Sequence, residues 1–110
     1  MSPKELYTSY ASSLNQANST RHVAEAFRTL SEYVEENEPK TQIYFALQPH
    51  GTEEFVLVEK YTDSQNLKEH ASTVAFKQFS KAIGGLLAQE PEIKGADFMA
   101  GFDGRTKAKL

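Results

Sequence analysis

The chain has 110 residues, a formal charge of −3 and no cysteine. That length suits one domain with a modest core, which a partner subunit would help to cover. The mild acidity lacks the clustered basic face of a nucleic-acid binder. Without cysteine there is no disulfide, thiol nucleophile or thiolate metal site; no apolar run approaches the ~20 residues that span a bilayer, and residues 1–13 lack the apolar segment of a signal peptide, so a soluble, intracellular protein is expected.

Residues 6–14, LYTSYASSL, read as a first strand despite their polarity. Asn18, Ser19 and Thr20 are residues that cap helices, and Val23, Phe27, Leu30 and Val34 then recur at helical spacing between charged positions. This predicts an amphipathic helix of about five turns. It ends at NEPK, because Pro39 disfavours a helical residue before it, and the acidic run Glu35–Glu36–Asn37–Glu38 reads as a solvated helix end.

TQIYFALQ alternates, with Ile43, Phe45 and Leu47 on one face and Gln42, Tyr44, Ala46 and Gln48 on the other. PHGT is turn chemistry, and Phe55 to Tyr61 returns as the second half of an antiparallel hairpin. Phe55, Leu57, Glu59 and Tyr61 share one face of that return strand, while Val56, Val58 and Lys60 point the other way. Asp63 or Ser64 caps the next helix, with Leu67, His70, Ala71 and Val74 on one side. Ser72–Thr73 reads as a break before a second stripe of Phe76, Phe79, Ile83, Leu86 and Leu87. Gly84 and Gly85 lie within that stripe, explained by close backbone approach or by the helix end. Residues 92–102 read as a last strand, with Ala96, Phe98, Ala100 and Phe102 on one track.

The order β-α-β-β-α-β predicts an α+β, ferredoxin-like domain over residues 1–104, with a four-stranded antiparallel sheet and its helices on one face, and a flexible tail over 105–110. Helices on one face leave the other bare, yet the hairpin strands are apolar on both sides. A second copy of the chain is the simplest cover.

The stretch FVLVEKYTDSQNLKEHASTVAFKQF resembles the antibiotic-biosynthesis monooxygenase superfamily of dimeric α/β barrels. Glu59, Tyr61, Asp63, Leu67, His70, Phe76 and Phe79 fall on its pattern of a hairpin strand ending in Glu-x-Tyr, then an acidic residue, an apolar residue, a His and a Phe-x-x-Phe helix. The match covers about Thr41 to Phe102, and the first helix more loosely. The resemblance implies a homodimer with a pocket between sheet and helices in each subunit. It also implies oxidation of phenols or quinols without metal or flavin, although some members isomerise small sugar-like signals, degrade haem or have no known activity. The chain departs from the pattern in having Ala75 where many members place a second His, and in lacking Trp.

His70 and Glu59 are the candidate catalytic pair. A cofactor-free oxygenase must take a proton from a phenol so that the anion can meet oxygen, and an imidazole oriented by a carboxylate suits that task near neutral pH. Tyr61 is placed to bond a substrate oxygen, and Phe45, Phe76, Phe79 and Phe98 to form an apolar substrate wall. No cofactor and no metal site is expected, and His22 and His50 read as surface residues. The alternative is a non-catalytic dimeric barrel that binds a ligand or a protein, with Glu59 and His70 serving the fold. A pocket enclosing both residues favours the enzyme, and a site packed shut favours the binding module. Ala108-Lys109-Leu110 is a conservative variant of the Ser-Lys-Leu peroxisomal address, with Lys107 and Arg105 upstream. It predicts peroxisomal import through the import receptor that reads such a tripeptide, against a cytoplasmic alternative, for a protein that partners a small-molecule substrate and neither nucleic acid nor membrane.

Overall fold

A computed structural model describes residues 5–16 and 18–105. The elements run β1 (Leu6–Ser13), α1 (Ser19–Asn37), β2 (Thr41–Leu47), β3 (Glu54–Tyr61), α2 (Ser64–Ala71), α3 (Val74–Gly84) and β4 (Glu92–Ala96). The sheet order is β2-β3-β1-β4, antiparallel throughout. This is the expected ferredoxin-like α+β architecture, with the second helical stretch in two pieces. Among the described residues, no helix is long and apolar enough to cross a membrane.

The polar β1 occupies a central position. Its alternate residues Thr8, Tyr10 and Ser12 are buried toward the helices. Tyr10 stacks on Phe55, and the Ser12 hydroxyl donates to the Gln89 carbonyl at 3.2 Å, so the hydroxyl does not go dry and unpaired. Its register sets Tyr10 opposite Leu57 and Thr8 opposite Glu59, which fixes the inward track of β3 as Phe55, Leu57, Glu59 and Tyr61. Against that track α1 lays Val23, Phe27, Leu30 and Val34, and α3 adds Phe79 and Ile83.

Three expectations are corrected. Asn18 precedes α1 in the left-handed region, φ +72°, and its side chain makes no capping bond. The buried stripe of α2 is Asn66 and His70, four residues apart, while Ala71 and Val74 are exposed. The last strand stops at Ala96, and Phe98, Met99 and Phe102 lie exposed in an irregular segment. That segment folds back across the end of β1, where Phe98 stacks on Tyr7 at 6.0 Å and Asp103 accepts from the Tyr7 hydroxyl and the Lys60 ammonium. Those polar anchors hold it off the ladder that a continued strand would need.

Other expectations hold in detail. Asp63 caps α2 by accepting from the Asn66 amide at 2.9 Å. The break at Thr73 is a cap as well: its hydroxyl accepts from the Phe76 amide at 3.1 Å and donates to the His70 carbonyl at 2.8 Å. Gly84 ends α3 and Gly85 follows as its cap, with nothing within 4 Å of an added Cβ at either, so the helix end explains them and close approach does not. The outward track of the sheet carries half-buried Ile43, Val56 and Val58, with Phe45 and Leu47 44% and 54% exposed. No helix covers it. Ala108, Lys109 and Leu110 lie outside the described residues.

Candidate functional site

The site forms where the end of α1, the start of β2, the end of β3 and the last turn of α2 converge. His70 is 2% exposed. Its Nδ1 lies 2.8 Å from Glu38 Oε1 and its Nε2 3.1 Å from the Tyr44 hydroxyl. A carboxylate only accepts, so Nδ1 carries the proton and donates to Glu38. With that tautomer of the imidazole, Nε2 is the acceptor and the Tyr44 hydroxyl the donor. The imidazole packs between Tyr44, Tyr61 and Phe76, with ring centroids 5.2, 5.7 and 5.1 Å away.

Beside this chain runs a second one. The Tyr61 hydroxyl donates to Glu59 Oε1, and the Thr8 hydroxyl also bonds that carboxylate. Glu59 is 6% exposed and Tyr61 fully buried. Burial raises the Glu59 carboxyl above its ordinary range, against the opposing pull of the Tyr61 hydroxyl, His70 and Thr8. Burial, with the negative charge of Glu59 next, pushes the Tyr44 and Tyr61 hydroxyls far above the usual phenol range. Both tyrosines are therefore held as donors.

Glu38, which the sequence reading placed on a solvated helix end, is the carboxylate that orients His70. Glu59, expected in that role, bonds Tyr61 instead. The reason is local. Glu38 precedes Pro39, which forces it out of the helix to φ −125°, ψ 71°, and this turns its side chain off the solvated face of α1. Its second oxygen is buried without a hydrogen-bond partner among the described residues. Tyr44 was legible in principle, since it lies on the inward track of β2 and pairs directly across from Glu59. Its neighbour Phe27 stacks on it at 5.0 Å.

The four phenylalanines separate. Phe76 touches the His70 ring, and Phe79 is 3% exposed in the core against Phe27. Phe45 pairs across from Val58 on the opposite face of the sheet, and Phe98 lies on Tyr7, so neither meets His70. His22 and His50 are exposed, as expected. Among the described residues, no group of three or more His, Asp and Glu side chains could hold a metal ion.

Two clefts flank the Glu38–His70–Tyr44 chain and share Glu38, Pro39 and Thr41. One, of about 330 Å³, reaches His70 between Tyr33, Asn66, Glu69 and Thr73. The other, of about 410 Å³, reaches Tyr44 between Ser31, Glu35 and Gln42. Neither is lined by Glu59. Of the candidate pair, His70 lines one of these two clefts and Glu59 lines neither.

The sequence model for "antibiotic biosynthesis monooxygenase" matches residues 16–82. The chain belongs to that family. No curated protein sequence matches it. Solved structures share its fold at low identity. A candidate antibiotic biosynthesis monooxygenase of Caulobacter crescentus aligns with TM-score 0.81 and 23% identity, over 89% of this chain and 92% of that one. A conserved protein of Methanosarcina mazei gives 0.78 and 17%, over 86% and 92%. SnoaB of Streptomyces nogalater, a cofactor-independent oxygenase, gives 0.77 and 12%, over 92% and 99%.

Proposed function

We propose that this family member is a cofactor-independent oxygenase that ionises a compact phenol or quinol at His70 and lets the anion react with dioxygen. The observation that carries this reading is a buried imidazole, held at Nδ1 by a carboxylate and at Nε2 by a neutral phenol, beside clefts large enough for a single aromatic ring. Glu38 stabilises the imidazolium that forms, as an oriented carboxylate does for a general base. The anion supplies all four electrons that dioxygen takes up. One oxygen atom replaces the hydrogen of a ring C–H, and the other leaves as water with the two hydrogens that the ring carbon and the hydroxyls give up. The ring ends at the quinone level: a phenol gives a quinone, a quinol a hydroxyquinone. The cofactor-independent chemistry of SnoaB is consistent with this assignment.

Oxygen uptake measured across a panel of phenols and quinols tests the reading. His70→Ala is expected to lose about 10²–10⁴-fold in turnover while retaining its fold. Uptake undiminished in that variant removes His70 from the chemistry. No uptake with any member of the panel favours the second reading, a non-catalytic barrel that binds a ligand or a protein. The burial of Glu59 and Tyr61 beyond both clefts supports that reading.

The working unit in this proposal is a homodimer, supported by the uncovered apolar face around Phe45, Val56 and Val58. Sedimentation at micromolar concentration is expected to show two chains, and a stable lone subunit removes the dimer. Peroxisomal import through Ala108–Lys109–Leu110 is proposed on the tripeptide alone. Diffuse cytosolic fluorescence from a fusion to the last ten residues removes it.

A further inference from the structure

Both ring nitrogens of His70 are already bonded, Nδ1 to Glu38 and Nε2 to Tyr44. His70 lines the first cleft with neither ring nitrogen left free to accept. A proton from a bound hydroxyl can reach Nε2 without breaking either bond by one route, through the Tyr44 oxygen, which can accept while its own hydrogen points to the imidazole. Tyr44 does not line the His70 cleft; it lines the neighbouring one, with Ser31, Glu35, Glu38 and Gln42.

We propose that Tyr44, His70 and Glu38 form a proton relay serving a neutral phenol bound in the Tyr44 cleft, with Tyr44 the catalytic contact and Glu38 a positioning residue. The inference rests on the phenol-ionising reading above and specifies its route. The substrate O–H breaks and its proton bonds to the Tyr44 oxygen. The Tyr44 hydrogen passes to Nε2, leaving a phenolate, an intact Tyr44 hydroxyl and an imidazolium whose Nδ1–H stays on the Glu38 carboxylate. Total charge is unchanged, and no oxidant is needed for this step.

Three features support it. The Tyr44 hydroxyl is held protonated by burial and by neighbouring negative charge, so it works as a conduit and not as a standing phenolate. Phe27 stacks on its ring and Glu59 pairs across from it, which keeps the hydroxyl aimed at His70. The mouth of the cleft carries Glu32 and Glu35, both exposed, with no Lys or Arg among its lining residues. Such a rim, though screened by water, disfavours a substrate that already bears a carboxylate or phosphate.

A nitrophenol that is yellow only as its anion reads the relay directly, with total bound probe measured in parallel by dialysis. At a pH where the free probe is mostly neutral, the unaltered protein is expected to raise the yellow fraction several-fold. Tyr44→Phe and Glu38→Gln are each expected to cut that rise at least tenfold. Glu38→Gln should keep the amount bound, because the Gln carbonyl still accepts from Nδ1–H and only the charge is lost. A wild-type yellow fraction in Glu38→Gln marks Glu38 as structural and overturns the relay. If Tyr44→Phe fails to fold, Glu38→Gln still decides. Gln42→Trp, which narrows the Tyr44 cleft, should reduce the signal more than Lys40→Trp, which narrows the His70 cleft, and the opposite ranking overturns the placement. Yellow signal in wild type that survives Tyr44→Phe defeats the relay alone. No yellow signal in wild type defeats the phenol-ionising reading and the relay together.

Discussion

The two faces of the sheet follow opposite rules. Under the helices, polar side chains find partners, Glu38 with His70, His70 with Tyr44, Tyr61 with Glu59 and Asn66 with Thr62, and only the second Glu38 oxygen lacks one among the described residues. On the other face the hairpin strands carry Ile43, Phe45, Leu47, Val56 and Val58, and among the described residues no helix covers them. Burying polar groups costs free energy unless each finds a partner, so a core that tolerates several has been arranged around them. An apolar face left open to water carries the opposite signal, of a surface that another molecule covers.

Neighbours on β3 break this comparison most sharply. Leu57 is fully buried under the helices, and Val58 points to the open face. Leu57→Ala is expected to cost about 2–5 kcal/mol, through lost burial and the cavity it leaves. That is roughly 10 °C or more in melting temperature for a domain this small. Val58→Ala should cost far less in a lone subunit, but in the proposed dimer its cost should grow with protein concentration. Melts at high and low concentration separate the cases. Equal, concentration-independent losses for the two variants would mean that the open face is not a contact surface.

The fold was readable because its elements announce themselves by period and punctuation: helical spacing in Val23–Phe27–Leu30–Val34, alternation in β2 and β3, a cap at Asp63 or Ser64 and a break at Ser72–Thr73. The inward track of β3 was equally plain, including Glu59 and Tyr61 at its end. The pairing of site residues was not, because it depends on where two helices stop. Glu38 is close to His70 in space and thirty-two residues away in sequence, and only the kink at Pro39 brings it inward. Local pattern could mark Glu38 as the residue before a proline but could not say what it would meet. Phe98 misled for a related reason: its alternation with Ala96 and Phe102 is real, but the chain leaves the sheet after Ala96 to place Asp103 on Lys60 and Tyr7.

A second test asks whether the polar side of the comparison carries a standing cost. Burial raises the Glu59 carboxyl above its ordinary 4.5. At low pH the folded and unfolded chains both hold this proton. As pH rises past 4.5 the unfolded chain releases it first, so the folded state binds more protons and stability falls until the folded carboxyl ionises too. Above that window the loss persists. Glu59→Gln, which keeps an oxygen for the Tyr61 hydroxyl, is therefore expected to melt higher than wild type at pH 8 and close to it at pH 4. A variant less stable than wild type at pH 8 would mean that the charge-assisted bonds from Tyr61 and Thr8 outweigh burial.

The smallest effect concerns how firmly the helix-covered face holds its histidine. Thr73 joins α2 to α3 through one hydroxyl, which donates to the His70 carbonyl and accepts from the Phe76 amide. These two residues are also in ring contact at 5.1 Å, so one cap fixes both partners. Thr73→Ala should cost about 1 kcal/mol, the usual penalty for losing a side-chain cap, and lower the melting temperature by roughly 4–8 °C. Thr73→Ser should restore most of it, since the hydroxyl returns and only a methyl group is missing. If His70 depends on this cap for its aim at Tyr44, probe ionisation should fall with the Ala variant by more than its stability loss explains, and return with Ser. Ionisation that stays at the wild-type level in Thr73→Ala would mean that Glu38 and Tyr44 hold the imidazole without help from the helix break.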